Sequence, residues 1–370
     1  RLISVIPAAV AEAAIKSGAA RKKIEDIELY KDQLSNRLDP SMSIMQGINA
    51  KVRKNPKRVI FAEGEDENML KAAIEFGRNK LGIPILIGAE NRVKEQLKKI
   101  GLDQNYKIEI VNSTDKEKRE KYVKHLYKKL QREGQLERDV DRLVRNDRIA
   151  WGSSMIACKD ADAMVTGNIR HYAASIEKLK KVVDARPGEE IFGMTMIVSK
   201  GKTILVADTN VTELPSAERL INISKSCVRI ARLFGFEPKV AFLSHSTFGK
   251  PLSRNTRHVR DAIDKLKKEK VDFDFDGEMQ PDVALNPIYQ EIYPFSKIVG
   301  NANVLIMPAL HSAAISTKLM KVFGGGKNIG PLLIGLGQPI EVAPLRASTS
   351  EILNLASIAA YSSDVIDYSN

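Results

Sequence analysis

The chain has 370 residues, 43% of them hydrophobic and 28% charged, with a formal net charge of +12. That length suits about two domains, and that balance excludes disordered, collagen-like and coiled-coil chains. No apolar run approaches the roughly 20 residues that cross a bilayer, and the N-terminus lacks the pattern of a secretory signal. In chain order, residues 3–20 read as a short helix closed at Ser17-Gly18, and residues 21–37 as a polar helix. Asp39-Pro40-Ser41 reads as a linker. Val59-Ile60-Phe61-Ala62 is a compact apolar strand, followed by Glu63-Gly64-Glu65-Asp66 and a helix over 67–80. Ile85–Ile87 is a second strand, 92–99 a helix and Ile108–Val111 a third strand. The charged stretch 115–148 is helical and broken near Gly134. Arg186-Pro187-Gly188 is a turn and a candidate boundary. Beyond it, strands are expected at 191–198, 203–207, 240–243, 272–274 and 304–307, with helices near 215–233, 255–269 and 311–322. Strand and helix alternating at this spacing predict an α/β fold with mostly parallel sheets.

The positive charge is spread out. Residues 115–148 hold twelve Lys/Arg against eight Asp/Glu, and no arm of like charges stands out. The nine Tyr and one Trp do not interleave with basic clusters as a stacking platform would. A nucleic acid or a membrane is therefore not an expected partner, whereas a phosphorylated small molecule is compatible. Cys158 and Cys227 are far apart, so no disulfide framework is expected and a reduced, cytoplasmic setting follows. Arg1 is not an initiator methionine, so the chain is expected to be part of something longer.

Open α/β sheets bind ligands beyond the carboxyl ends of their strands. Strand 240–243 runs into Ser244-His245-Ser246-Thr247-Phe248-Gly249-Lys250, whose hydroxyls and backbone N–H groups suit phosphate or carbonyl oxygens. A Ser/Thr-capped turn explains the same residues. Phe323-Gly324-Gly325-Gly326-Lys327 matches neither a Walker A loop nor a dinucleotide fingerprint. The five histidines form no metal-ligand motif. Asp272, Asp274, Asp276 and Glu278 resemble a calcium loop only superficially, because Gly277 directly follows the third aspartate.

Several segments, taken in order, carry a resemblance to the phosphate acetyltransferase (phosphotransacetylase) family over residues 43–370. Ala161-Asp162-Ala163-Met164-Val165-Thr166-Gly167 resembles that family's "ADGMVSG", and Val206-Ala207-Asp208-Thr209 its "FADT". Phe234–Lys239 resembles the approach to the strand that ends in Leu243-Ser244-His245-Ser246-Thr247. Asp276-Gly277-Glu278-Met279-Gln280 resembles "DGELQ", and Gly300-Asn301-Ala302-Asn303-Val304 resembles "GKANV". Residues 1–11 are similar to the end of the catalytic portion of large, hybrid bacterial NADP-dependent malic enzymes, in which a phosphotransacetylase-like domain follows.

The resemblance implies two three-layer α/β lobes with a cleft between them, the second lobe inserted into the first. Residues 1–40 are then a tail and linker, 41–187 plus 333–370 the first lobe, and 188–332 the second. It also implies acetyl-CoA or a related acyl-CoA as ligand, and a homo-dimer or higher homo-oligomer. No cofactor is expected in this chain, since NADP and a divalent metal would belong to a separate malic enzyme portion. The family's "LSRG" segment is altered to Ala343-Pro344-Leu345-Arg346: ungapped, Pro344 replaces the serine, and with a one-residue gap Leu345 does. The family's aspartate falls on Glu351 or Ile352. In the "VSGxxHSTADxxR" segment Arg170 replaces the histidine, Ala174 the aspartate and Glu177 the arginine. With these groups lost, the expected function is a non-catalytic acetyl-CoA-binding regulatory domain. An active phosphate acetyltransferase and an oligomerisation domain are the alternatives. No catalytic or metal-ligating residue is assigned, and the candidate ligand contacts are Asn168, Arg170, Ser244, Ser246, Thr247, Lys250, Lys318 and Arg346.

Overall fold

The computed structural model describes residues 2–20, 40–101, 108–199, 202–209, 211–252, 254, 256–324 and 327–368. Helix α1 (Leu2–Lys16) stops at Ser17-Gly18, where Gly18 takes φ +74°. The helix expected over 21–37 lies outside the described residues. Pro40 and Ser41 are not a linker: they open α2 (Pro40–Lys54). Proline is tolerated in a first helical turn because its missing N–H would have no partner there.

The first sheet contains β1 (Lys57–Phe61), β2 (Gly82–Ile87), β3 (Glu109–Val111), β4 (Ala163–Gly167) and β11 (Ile340–Ala343). Its order is β11-β4-β1-β2-β3, and every neighbouring pair is parallel. Helices α3 (Glu67–Arg78), α4 (Glu90–Lys99), α5 (Lys116–Leu130), α6 (Glu137–Asn146), α7 (Arg148–Ala157) and α8 (Tyr172–Val182) surround it. The expected break at Gly134 is real and marks the end of a 3₁₀ turn between α5 and α6.

After α8 the chain builds a second sheet from β5 (Phe192–Ser199), β6 (Lys202–Ala207), β7 (Lys239–Leu243), β8 (Asp274–Met279), β9 (Val304–Ile306) and β10 (Lys327–Ile334), and then returns to the first through β11. The order is β10-β5-β6-β9-β7-β8, and only β5 runs against its neighbours. Helices α9 (Ala217–Leu233), α10 (Arg257–Lys268), α11 (Pro281–Leu285) and α12 (Leu310–Phe323) pack around it, and α13 (Thr349–Val365) follows β11. The second sheet is therefore inserted between β4 and β11 of the first. The strand expected at 272–274 instead starts at Asp274 and runs to Met279. Its acidic residues sit on an edge strand, where packing through Phe275 and Met279 outweighs the poor strand propensity of aspartate.

Alternation along the strands divides the core into layers. Val59 and Phe61 join one cluster, while Ile60 and Ala62 join another on the opposite face. Val240 and Phe242 do the same against Ala241 and Leu243. Each sheet is thus covered on both faces, as parallel sheets require. Helix α13 packs on α2, α3, β1, β4, β10 and β11, so it touches strands of both sheets. No described helix is long and apolar enough to cross a membrane.

Candidate functional site

Helix α3, which follows β1, packs on one face of the first sheet, and α7, which precedes β4, packs on the other. Strand order reverses between β1 and β4, and such a reversal opens a crevice outside the carboxyl ends of the two strands. Three turns meet there: Glu63–Asp66 after β1, Asn168–Arg170 after β4, and Pro344–Ala347 after β11.

Asn168 ties these turns together. Its Nδ2 donates to Asp66 Oδ1 at 2.5 Å, its backbone N–H to Ala343 O at 3.2 Å, and its carbonyl accepts the Arg346 N–H at 2.9 Å. Asn168 and Arg346 both take left-handed backbone, with φ +65° and +57°. Asparagine accepts this conformation readily and arginine pays strain for it. Gly167, at φ +110°, has no substitute, since a Cβ there would lie 2.3 Å from Ala343 O. An open depression of about 540 Å³ is lined by Asp66, Asn68, Asn168, Ile169, Leu345 and Arg346. The Oδ1 of Asn168 is buried without a partner.

Beneath this floor lies Glu63, wholly buried. It accepts from Thr166 Oγ1 and from Gly167 N, each at 3.0 Å. Arg170 lies 3.6 Å away, within ion-pair range but beyond a hydrogen bond. Burial pushes the Glu63 carboxyl up to about 7, against the pull of Arg170, Thr166, Arg148 and Gly167. Glu65 behaves oppositely: its slight burial is outweighed by the Ala89 N–H and by Arg148, 3.1 Å away, which hold it below the usual carboxylate range. Asp66 and Arg346 thus line the depression, Arg170 faces Glu63 beneath it, and Arg148 and Glu65 line a neighbouring depression beside β2 and α7. Guanidinium forks beside turned backbone suit an anionic ligand.

Asn168 and Arg346 are therefore brought together, and Arg170, two residues beyond Asn168, faces Glu63 beneath them. Lys318 is exposed on α12, one turn before Lys321, whose ammonium pairs with Glu351 at 2.8 Å across the two lobes. The Ser244–Lys250 loop lies at the carboxyl edge of the second sheet, and its hydroxyls are engaged internally. Ser244 and Ser246 Oγ are 3.0 Å apart, and Ser246 donates to buried Glu278 at 3.0 Å. Thr247 Oγ1 accepts the Gln280 N–H, and Lys250 is exposed at the end of the turn. Glu278, part of the calcium-like acidic run, is thus a strut for this loop. Among the described residues, no group of three or more His, Cys, Asp or Glu is placed to hold a metal ion.

The altered positions have structural uses. Pro344 and Leu345 bring no hydroxyl to the turn after β11. Glu351 closes a capping box with Ser348 at the start of α13. Ala174 and Glu177 are exposed on α8. Sequence reasoning missed Glu63, Asp66, Arg148 and Thr166. Applying the strand-end rule to Val59–Ala62 as well as to 240–243 would have drawn attention to Glu63 through Asp66.

The sequence profile of the phosphate acetyl/butaryl transferase family matches residues 43–360. An NADP-dependent malic enzyme of Rhizobium meliloti is 45% identical over 98% of this chain and 48% of its own length. The chain thus spans about half the length of the malic enzymes it matches. A phosphate acetyltransferase of Clostridium acetobutylicum is 30% identical over 86% of this chain and 97% of its own length. Among solved structures, a phosphotransacetylase from Streptococcus pyogenes superposes with a TM-score of 0.78, at 28% identity, over 87% of this chain and 98% of that one. On sequence and architecture together, the chain belongs to the phosphate acetyl/butaryl transferase family.

Proposed function

We propose that this chain is an acetyl-CoA-binding regulatory domain of a longer, malic-enzyme-type polypeptide, and that it binds its ligand without turning it over. One observation carries the reading. The crevice carries two arginines, Arg170 and Arg346, while the turn after β11 has Pro344-Leu345 and Glu351 is committed to a helix cap and an ion pair. Charge for binding phosphates is present where hydroxyl and free carboxylate are absent. Loss of one transition-state hydrogen bond commonly costs about 2.7–4 kcal/mol, so several losses reduce turnover to a trace. In the longer polypeptide, NADP and a divalent metal would sit in the malic enzyme portion, which oxidatively decarboxylates malate. Acetyl-CoA would act on it by binding one conformational state more tightly than another. The test is malate oxidation by that polypeptide with and without acetyl-CoA. In Arg346→Ala the acetyl-CoA concentration needed for the response should rise about 10- to 100-fold while basal oxidation persists, and an unchanged response contradicts the reading.

A second reading, an active phosphate acetyltransferase, draws support from Glu63. A carboxyl near 7 is in the range that general-base work needs at neutral pH, and Glu63, wholly buried, would serve only through a relayed proton. It predicts phosphate-dependent release of free thiol from acetyl-CoA.

A homo-oligomer is the proposed assembly. Ile315, Leu319, Val322 and Phe323 form an exposed apolar stripe on α12, at the spacing of one helix face. Leu319→Glu should lower the mass measured by light scattering, and an unchanged mass would move the contact elsewhere.

A further inference from the structure

Glu63 lies under the site and lines no part of the depression above it, yet it is bonded to the segment that does. It receives the Thr166 hydroxyl and the Gly167 N–H, and it faces Arg170, which emerges two residues after Asn168. The other charge acting on it is Arg148 at the start of α7, which shares Glu65 with Arg92; Glu65 and Asp66 stand on its own turn. Protonating Glu63 makes the crevice more positive by one charge.

We propose that Glu63 is a proton-linked positioning residue for the acyl-CoA site: ionised, it holds Arg170 back; protonated, it releases Arg170 to the ligand's phosphates. This rests on the acyl-CoA reading given above. Both states can be accommodated without moving the loop. A protonated carboxyl still accepts the Gly167 N–H on one oxygen. Its other oxygen can donate to Thr166 Oγ1, because the hydroxyl rotates to accept. Only Arg170, held at 3.6 Å without a hydrogen bond, loses its partner. Its five N–H donors are then available to a phosphate.

The sign follows from linkage. An anion bound beside Glu63 disfavours the ionised carboxyl, so binding takes up a proton and weakens as pH rises. Burial already sets this carboxyl near neutrality, which places the change between about pH 6 and 8. If the ligand raises Glu63 by about one unit, affinity falls up to about tenfold across that window. The ligand's own phosphate monoester works in the opposite direction, gaining charge above about pH 6 and binding an arginine site more tightly. A fall in affinity with rising pH is therefore not what the ligand alone would give.

The experiment is calorimetric titration of the chain with acetyl-CoA at pH 6.0, 7.0 and 8.0 and constant ionic strength, for the native protein and Glu63→Gln. The native protein should lose affinity as pH rises, and Glu63→Gln should bind at every pH about as tightly as the native protein at pH 6, with no fall. Should Glu63→Gln fold poorly, Thr166→Val serves instead. It removes one hydrogen bond to the carboxylate and should shift the fall to higher pH. Saturable binding with an unchanged fall in Glu63→Gln, an unshifted fall in Thr166→Val, or no fall in the native protein overturns the proposal and leaves the acyl-CoA reading intact. No saturable binding at any pH in any of the proteins overturns the acyl-CoA reading, and this proposal with it.

Discussion

Arg346 concentrates the site's chemistry in one side chain. It is exposed, its backbone is left-handed, and its N–H closes the turn onto Asn168. The side chain thus adds nothing to the core, and the backbone bond survives its truncation. Arg346→Ala should weaken acetyl-CoA binding about 10- to 100-fold, the scale of a lost charged hydrogen bond of about 1.5–3 kcal/mol. The melting temperature should stay within a few degrees, and unchanged affinity would remove Arg346 from the site. Asn168 and Arg346 were legible only through family resemblance, because nothing in their local spacing marks a ligand contact. Glu63 was legible only as a residue at the end of a strand, with nothing in the sequence to mark its partners. Its importance comes from pairing β1 with β4, which brings Thr166 and Gly167 to within 3.0 Å across about a hundred residues of chain.

At the scale of elements, α13 depends on its first turn. Ser348 Oγ accepts the Glu351 N–H, Glu351 accepts the Ser348 N–H at 2.9 Å, and Lys321 adds an ion pair at 2.8 Å. Glu351→Ala should cost about 1 kcal/mol, and less of this is due to the partly exposed ion pair than to the cap. Although burial alone would raise it, Lys321 and Ser348 hold the Glu351 carboxyl below its usual value. Its contribution is therefore present above the unfolded value, near 4.3, and is lost as pH falls through the lower folded value. Melting curves of the variant and the native protein should differ at pH 7 and converge near pH 3; a constant difference would assign the effect to packing instead. The capping pattern stands in the sequence, Ser348 and Glu351 three apart before an apolar run, but neither it nor the helix it opens was among the expected elements. Strands β1, β7 and β9 were also legible, because both faces are buried and the residues form short apolar runs. Strands β10 and β11 were not, since Gly330, Pro331 and the buried Glu341 interrupt their pattern. Their place in the sheets is fixed by long-range pairing with β5 and β4.

For the whole molecule, the junction between the lobes carries a second buried carboxyl. Glu341 on β11 accepts the Leu333 N–H at 2.9 Å. Nearby Arg186 and Arg229 pair with Glu189, at 3.2 and 2.7 Å. Burial, opposed only by the Leu333 N–H, pushes Glu341 up to about 8. An adjoining, partly open cavity of about 30 Å³, lined by α9, β10, β11 and α13, has room for a water. The unfolded chain ionises first, so this residue lowers stability progressively from about pH 4.5 to about pH 8. Glu341→Gln keeps the acceptor and removes the charge. It should raise the melting temperature clearly at pH 8, by an amount on the order of 3 kcal/mol in free energy, and hardly at pH 4.5. An equal effect at both values would show that charge is not the cause.

In the proposed function the site has two halves, an arginine-bearing crevice that binds acyl-CoA and a turn after β11 whose missing hydroxyl prevents turnover. Calorimetric titration with acetyl-CoA in phosphate buffer, followed by a free-thiol assay of the same cell, tests both halves at once. Saturable heat with no thiol released is the predicted result. Thiol in excess of protein would mean that the domain turns its ligand over, and absence of heat would mean that the crevice does not bind it.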